Sequence, residues 1–147
     1  FKPEAVDAYN NLGLALAALG DISAATAQLQ KAVQLNPNYA KGFFNLGRLA
    51  AQQGDLETAI GNFQTALRLS PDEAEIHFKL GEVLMRQGQL EAAVAHYRAA
   101  IKLRPEFAEG HVALAKTLAS LGKAAEAEEH YREARRLLEG QAKIALP

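Results

Sequence analysis

Apolar residues along this chain fall at steps of three and four, and glycine or proline breaks the pattern at even intervals. The stretch beginning at Lys41, KGFFNLGRLAAQQG, shows the scheme. Gly42, Phe43, Leu46, Gly47, Leu49, Ala50 and Gln53 occupy places that pack within and between repeated units. Lys41, Phe44, Asn45, Arg48, Ala51 and Gln52 form the leftover face. Phe43 and Phe44 are adjacent, so their side chains point about 100° apart on a helix and cannot both enter one core. Segments of this type predict helix pairs at about 5–19 with 22–35, 39–53 with 56–69, 73–87 with 90–103, and 107–121 with 124–139.

The punctuation has a fixed period. Pro3, Pro37, Pro71 and Pro105 are each 34 residues apart, as are Gly20, Gly54, Gly88 and Gly122. Gly13, Gly47 and Gly81 keep the same step, with Ala115 in the fourth place, and Leu12, Leu46, Leu80 and Leu114 precede them. Two alanine rows follow suit: Ala25, Ala59, Ala93, Ala127, and Ala32, Ala66, Ala100, Ala134. A period of this length means stacked helical repeats. Each first helix is expected to end at a glycine able to take the left-handed conformation. Each second helix is expected to end before a proline that opens the next repeat. Asn36 and Ser70 stand where they can cap the new helix, and Ser70 to Glu73 has capping-box spacing.

At this point the sequence resembles the tetratricopeptide repeat pattern, W-x2-L-G-x2-Y, then A-x3-F, then P. The second repeat reads Phe43, Leu46, Gly47, Ala50, Ala59, Phe63, Ala66, Pro71, and the third His77, Leu80, Gly81, Leu84, Ala93, Tyr97, Ala100, Pro105. The first carries Tyr9, Leu12, Gly13, Leu16, Ala25, Leu29, Ala32 and Pro37. The fourth carries His111, Leu114, Ala115, Leu118, Ala127, Tyr131 and Ala134, with Glu139 in the proline's place. Tryptophan never fills its place. The resemblance implies an all-α fold, a right-handed superhelical α-solenoid of stacked antiparallel helix pairs. The four 34-residue repeats fall at about 6–39, 40–73, 74–107 and 108–140, with 1–5 a remnant of a preceding repeat and 141–147 a tail. Phe1-Lys2-Pro3 matches Leu35-Asn36-Pro37, so further repeats are expected before it. Val33, Leu67 and Ile101 give way to Arg135, and Thr26, Ile60 and Val94 to Glu128. Charge on that one helix face reads as a capping repeat that closes a longer array.

Composition removes several function classes. The chain has 147 residues, is 49% hydrophobic and carries a net charge of −1. That balance gives no general attraction to nucleic acid or anionic lipid. Cysteine is absent, which excludes disulfides and thiolate metal sites. No apolar run reaches the roughly 18 residues of a membrane span, so no membrane insertion is expected of this segment. The composition fits a soluble segment of cytoplasm or periplasm without choosing between them. Phosphate-loop, dinucleotide and nucleophile-elbow motifs are missing, and Glu126, Glu128 and Glu129 read as a solvated face, so no catalytic residue and no cofactor is expected. The four histidines are His77, His96, His111 and His130. Compared between repeats, His77 with His111 and His96 with His130, they should stand about 8–10 Å apart, too far for one metal ion.

What remains is the face of the first helices, which stacking would align into a continuous concave groove. One row reads Asn10, Phe44, Phe78, Val112, and the next Asn11, Asn45, Lys79, Ala113. Then come Leu14, Arg48, Glu82, Lys116, followed by rows containing Met85 and Arg86. The candidate binding residues are therefore Asn11, Phe44, Asn45, Arg48, Phe78, Lys79, Glu82, Met85, Arg86, Val112 and Lys116. Aromatic and apolar anchors flanked by Arg and Lys suit a bound segment with acidic groups. Phe44 and Phe78 have a second reading, sideways packing on neighbouring helices. The family resemblance implies binding of extended peptides or helices in the groove. The carboxylate-clamp pattern matches only at Asn45 and Lys79. The asparagine ladder of the O-linked N-acetylglucosamine transferase superhelix matches only at Asn11 and Asn45. The expected function is a non-catalytic scaffold binding a peptide or protein. The alternatives are the substrate-recruiting arm of a larger enzyme such as a glycosyltransferase, and a self-assembly module. The last would form a homo-oligomer through the face carrying Ala8, Leu12, Ala15 and Leu19.

Overall fold

The computed structural model describes residues 2–145. Phe1, from the segment read as a preceding repeat, and Leu146 and Pro147, from the tail, lie outside the described residues. Those described form eight helices and no strand: α1 (Pro3–Ala18), α2 (Ile22–Leu35), α3 (Ala40–Gln52), α4 (Leu56–Leu69), α5 (Ala74–Arg86), α6 (Leu90–Leu103), α7 (Ala108–Ser120) and α8 (Ala124–Ala145). They fall into two compact units, Phe1–Pro71 and Asp72–Pro147.

In the first unit α1 packs on α2 and α3 on α4, with α2 also against α3. The core gathers Ala25, Leu29, Leu46 and Leu49, with Leu16, Ile22 and Val33 packed around them. Phe63 of α4 is buried as well, its ring against Gly47 of α3. The small places let the helices close up. A Cβ on Gly47 would stand 2.7 Å from the Phe63 ring, so only glycine admits the ring there. The second unit repeats the scheme with α5 on α6, α7 on α8, and α6 against α7. Tyr97, Leu80, Leu114 and Leu118 are its largest wholly buried side chains.

Helix ends follow the punctuation, with two corrections. Gly54 (φ 81°) and Gly122 (φ 77°) take the left-handed conformation expected after a first helix. Asn36 and Ser70, however, do not cap the following helices. They terminate α2 and α4 in extended or near-extended conformation (φ −134°, ψ 96° and φ −141°, ψ 81°). The proline after each clashes with a helical residue before it, so the helix stops there. The Asn36 side chain instead accepts a hydrogen bond from the Asn38 N–H at 3.0 Å, closing a local turn. The side-chain caps are Asp21, which accepts from Ala24 N–H at 3.0 Å, and Asp55, which accepts from Thr58 N–H at 3.1 Å. The Ser70–Glu73 spacing forms no such cap, since Glu73 precedes α5 without a side-chain bond.

The second correction concerns α8, expected to stop near 139 but running to Ala145. Where earlier repeats have proline, this one has Glu139, so neither steric clash nor a missing N–H ends the helix. Glu128 and Arg135, on the face read as a cap, are exposed.

Candidate functional site

In the first unit the candidate residues divide between surface and core. Asn11 and Arg48 are exposed. Asn45 is only 7% exposed, and its side-chain amide donates to Asn10 Oδ1 at 2.8 Å. That bond joins α1 to α3 and satisfies two buried polar groups at once. Phe44 is half-buried against Phe63, with ring centroids 5.8 Å apart, and the Arg48 guanidinium lies 5.8 Å above its ring. Phe43, its neighbour, is also half-buried. Leu12 on α1 and Leu19, which follows it, are 48% and 83% exposed.

The second unit holds a cleft of about 390 Å³. Of the seven candidates in this unit, Phe78, Lys79, Glu82, Met85, Val112 and Lys116 line it. Arg86 is exposed and does not line it. The pattern is set by α5 and α7. Residues 78, 82 and 85 share a face of α5, as do 109, 112, 113 and 116 of α7. Phe78 forms the floor. It is 7% exposed and packs on Tyr97 (centroids 5.7 Å) and edge-on against Phe107 (4.8 Å). The sideways packing foreseen as its second reading is thus present, although its ring also lines the cleft. The Lys79 ammonium bonds Glu82 at 2.8 Å and lies 5.3 Å from the Phe78 ring centre. Across the cleft, Lys116 forms no ion pair among the described residues.

Four lining residues fall outside the groove rows read from the sequence: Tyr97, Ala108, Glu109 and Leu138. Leu138 enters because α8 continues past the missing proline. Glu109 lies three residues before Val112, on the same face of α7. Tyr97 sits in the place filled by Phe63 in the second repeat, which reads as core. Its ring is indeed wholly buried, yet among the described residues the hydroxyl has no hydrogen-bond partner. Burial, and then the Glu82 carboxylate, push this phenol well above its ordinary range. The second repeat offered the signal: a Tyr in a Phe place adds one polar atom that needs a reason.

The histidines meet within repeats, not between them. His77 Nδ1 lies 3.1 Å from His96 Nδ1, and His111 Nδ1 lies 3.1 Å from His130 Nδ1. Each pair joins a first helix to its own second helix across 19 residues of sequence. The spacing recurs at Tyr9 with Gln28 and Phe43 with Asn62, so the double appearance of histidine in two repeats was the readable signal. His111 Nε2 lies 2.9 Å from the Pro105 carbonyl, which can only accept, so Nε2 carries the proton. His111 Nδ1 is then a lone pair, and His130 Nδ1–H donates to it. Burial, then His77, hold His96 below the ordinary imidazole range. Burial, then His111, do the same for His130, which also senses Glu126, Arg98 and Glu129. Arg98 and Glu126 are ion-paired beside it.

Among the described residues no helix is long and apolar enough to cross a membrane. Comparison with curated protein sequences finds no significant match. Family profiles described as Tetratricopeptide repeat match residues 44–106 and 80–142, and a further one matches 6–39. Among solved structures, a crystal structure of MamA superposes with a TM-score of 0.90 at 25% identity, covering 97% of this chain and 83% of that one. A MamA AMB-1 structure gives 0.82 at 27% identity, with 92% and 80% covered. One of MamA from Desulfovibrio magneticus gives 0.85 at 24% identity, with 92% and 77% covered. Profile, period and helix pairing agree: the chain belongs to the tetratricopeptide repeat family, a helical-repeat solenoid fold that serves as a protein-interaction scaffold.

Proposed function

We propose that this chain binds, without catalysing a reaction, a peptide or a segment of a partner protein on the face made by its first helices. The cleft of the second unit is the observation that carries the reading. It offers Met85, Val112 and Leu138 as apolar walls, Phe78 as floor, and Lys79, Glu82, Glu109 and Lys116 as a charged rim. An apolar side chain of the segment seats on the floor and expels water. Lys116 draws a carboxylate on the segment, whereas Lys79 is already engaged by Glu82. In the first unit, Asn11 and Arg48 supply exposed polar contacts beside Phe44. Asn45 contributes by holding α1 to α3.

The test is selection of binders from a random peptide library, then fluorescence anisotropy with the selected peptides. The Met85→Glu plus Val112→Glu protein should keep its helical circular dichroism and lose at least about tenfold in affinity, the scale expected when charge enters an apolar contact. Equal binding by the substituted protein would place the peptide elsewhere and sink the assignment of this cleft.

A further inference from the structure

We propose that the paired histidines of the second unit are two-imidazole sites for a borderline divalent transition-metal ion, with copper(II) held most tightly. Two nitrogens bound to one ion at ~2.0–2.1 Å, with an angle of 90–110° between them, stand about 2.9–3.4 Å apart. His111 Nδ1 and His130 Nδ1 are 3.1 Å apart, so an ion can sit between the two rings without moving the helices, once neutral His130 carries its proton on Nε2 instead of Nδ1. The outer arrangement also suits a ligand. His111 hands its Nε2–H to the Pro105 carbonyl at 2.9 Å, which fixes the ring and leaves Nδ1 as the lone pair facing His130. A second nitrogen anchored to a backbone carbonyl is the usual support of a metal-bound imidazole. The Glu126 and Glu129 carboxylates beside His130 favour a cation, and Arg98, paired to Glu126, opposes it.

The arrangement occurs twice. His77 and His96 have the same 3.1 Å contact, with rings tilted 33° against 34° in the other pair. Packing alone does not call for histidine here, because the second repeat fills the two places with Phe43 and Asn62. Among the described residues no group of three or more His, Cys, Asp or Glu side chains could share an ion. Each site thus supplies two protein ligands and leaves the other positions to solvent or to a partner. Such a site follows the general order of affinity, copper(II) above nickel(II) and zinc(II), and ignores magnesium.

The experiment is titration of the tag-free chain with copper(II) sulfate, read by calorimetry and by the nitrogen splittings of the copper electron paramagnetic resonance spectrum. Two ions per chain are expected, each with two nitrogen ligands. The His111→Phe plus His130→Asn protein copies the second repeat and should bind one. The protein carrying His77→Phe and His96→Asn as well should bind none in the same concentration range. Should the aromatic replacements disturb folding, His96→Gln plus His130→Gln removes one ligand from each pair, and affinity should fall at least tenfold. Unchanged copper binding in the four-fold variant, or no binding by the native chain at millimolar copper, overturns the proposal.

Discussion

The hydroxyl of Tyr97 is one oxygen atom in a wholly buried ring, and it separates stability from binding. A buried donor without a partner costs about 1–3 kcal/mol of desolvation, so Tyr97→Phe should leave the protein equally stable or up to about 1 kcal/mol more stable. Urea denaturation measures this. Because the hydroxyl is closed to solvent, a docked segment does not reach it, and the same variant should bind selected peptides as tightly as the native chain by fluorescence anisotropy. Tyr39 shows the opposite use of a phenol. Its hydroxyl donates to Asp7 at 2.8 Å, and burial, that bond and the Asp7 charge push its pKa up to about 12 from 10.0. The folded state therefore disfavours the phenolate. The Tyr39 contribution to stability is intact below pH 10 and disappears as pH rises from 10 towards 12. Tyr39→Phe should flatten the stability profile across that window, measured by denaturant titration at several alkaline pH values. A profile as steep as that of the native protein would show that Tyr39 ionises like a free phenol.

At the scale of the element, α8 depends on a residue that is missing. Glu139→Pro restores the proline of the other repeats. It should end α8 near Leu138, remove the helix that follows and draw Leu138 out of the cleft. The expected readout is a small loss of far-ultraviolet helical signal with weaker peptide binding; unchanged signal would mean that the helix bends around the proline. The same element shows what the sequence could and could not disclose. Helix positions were legible because glycine and proline constrain the backbone locally, whatever surrounds them. The role of Asn36 and Ser70 was not, because a cap depends on which of two helices claims the residue. The reach of α8 was readable from Glu139, but its consequence at the cleft required the packing of α8 beside α7. Phe78 could be assigned to a face but not to a depth, and depth makes it a floor rather than a protruding anchor. Asn45 lay in the expected row, and only the structure turned its amide towards Asn10. The histidine pairs were hidden by comparing repeats with each other and never a first helix with its own second.

At the scale of the whole molecule, the two units are unequally filled. The first relies on small side chains, Ala25, Ala32, Ala59 and Ala66, around Leu29, Leu46, Leu49 and Phe63. The second buries Ile76, Phe78, Leu80, Val83, Leu84, Val94, Tyr97, Leu114 and Leu118 among its alanines. Larger buried side chains contribute more per residue, about 1.5–3 kcal/mol each against much less for alanine. Helical-repeat chains need not unfold all at once, because each repeat contacts only its neighbours. Amide hydrogen exchange should therefore be slowest in α5, α6 and α7 and fastest in α1, where Leu12, and Leu19 just after the helix, face solvent. Uniform protection along the chain would instead indicate a single cooperative block.

The uniform spacing of the turn glycines has a practical consequence. With all four φ angles between 77° and 86°, every repeat turns from its first helix into its second through the same left-handed residue. Two residues that differ by a multiple of the period occupy comparable surroundings, so this one molecule contains its own comparative experiment. Phe63 is the ring without the Tyr97 hydroxyl, and Phe43 with Asn62 is the histidine pair stripped of its nitrogen ligands. Grafting a residue from one repeat into the matching place of another changes the chemistry while keeping to a solution that the chain already contains.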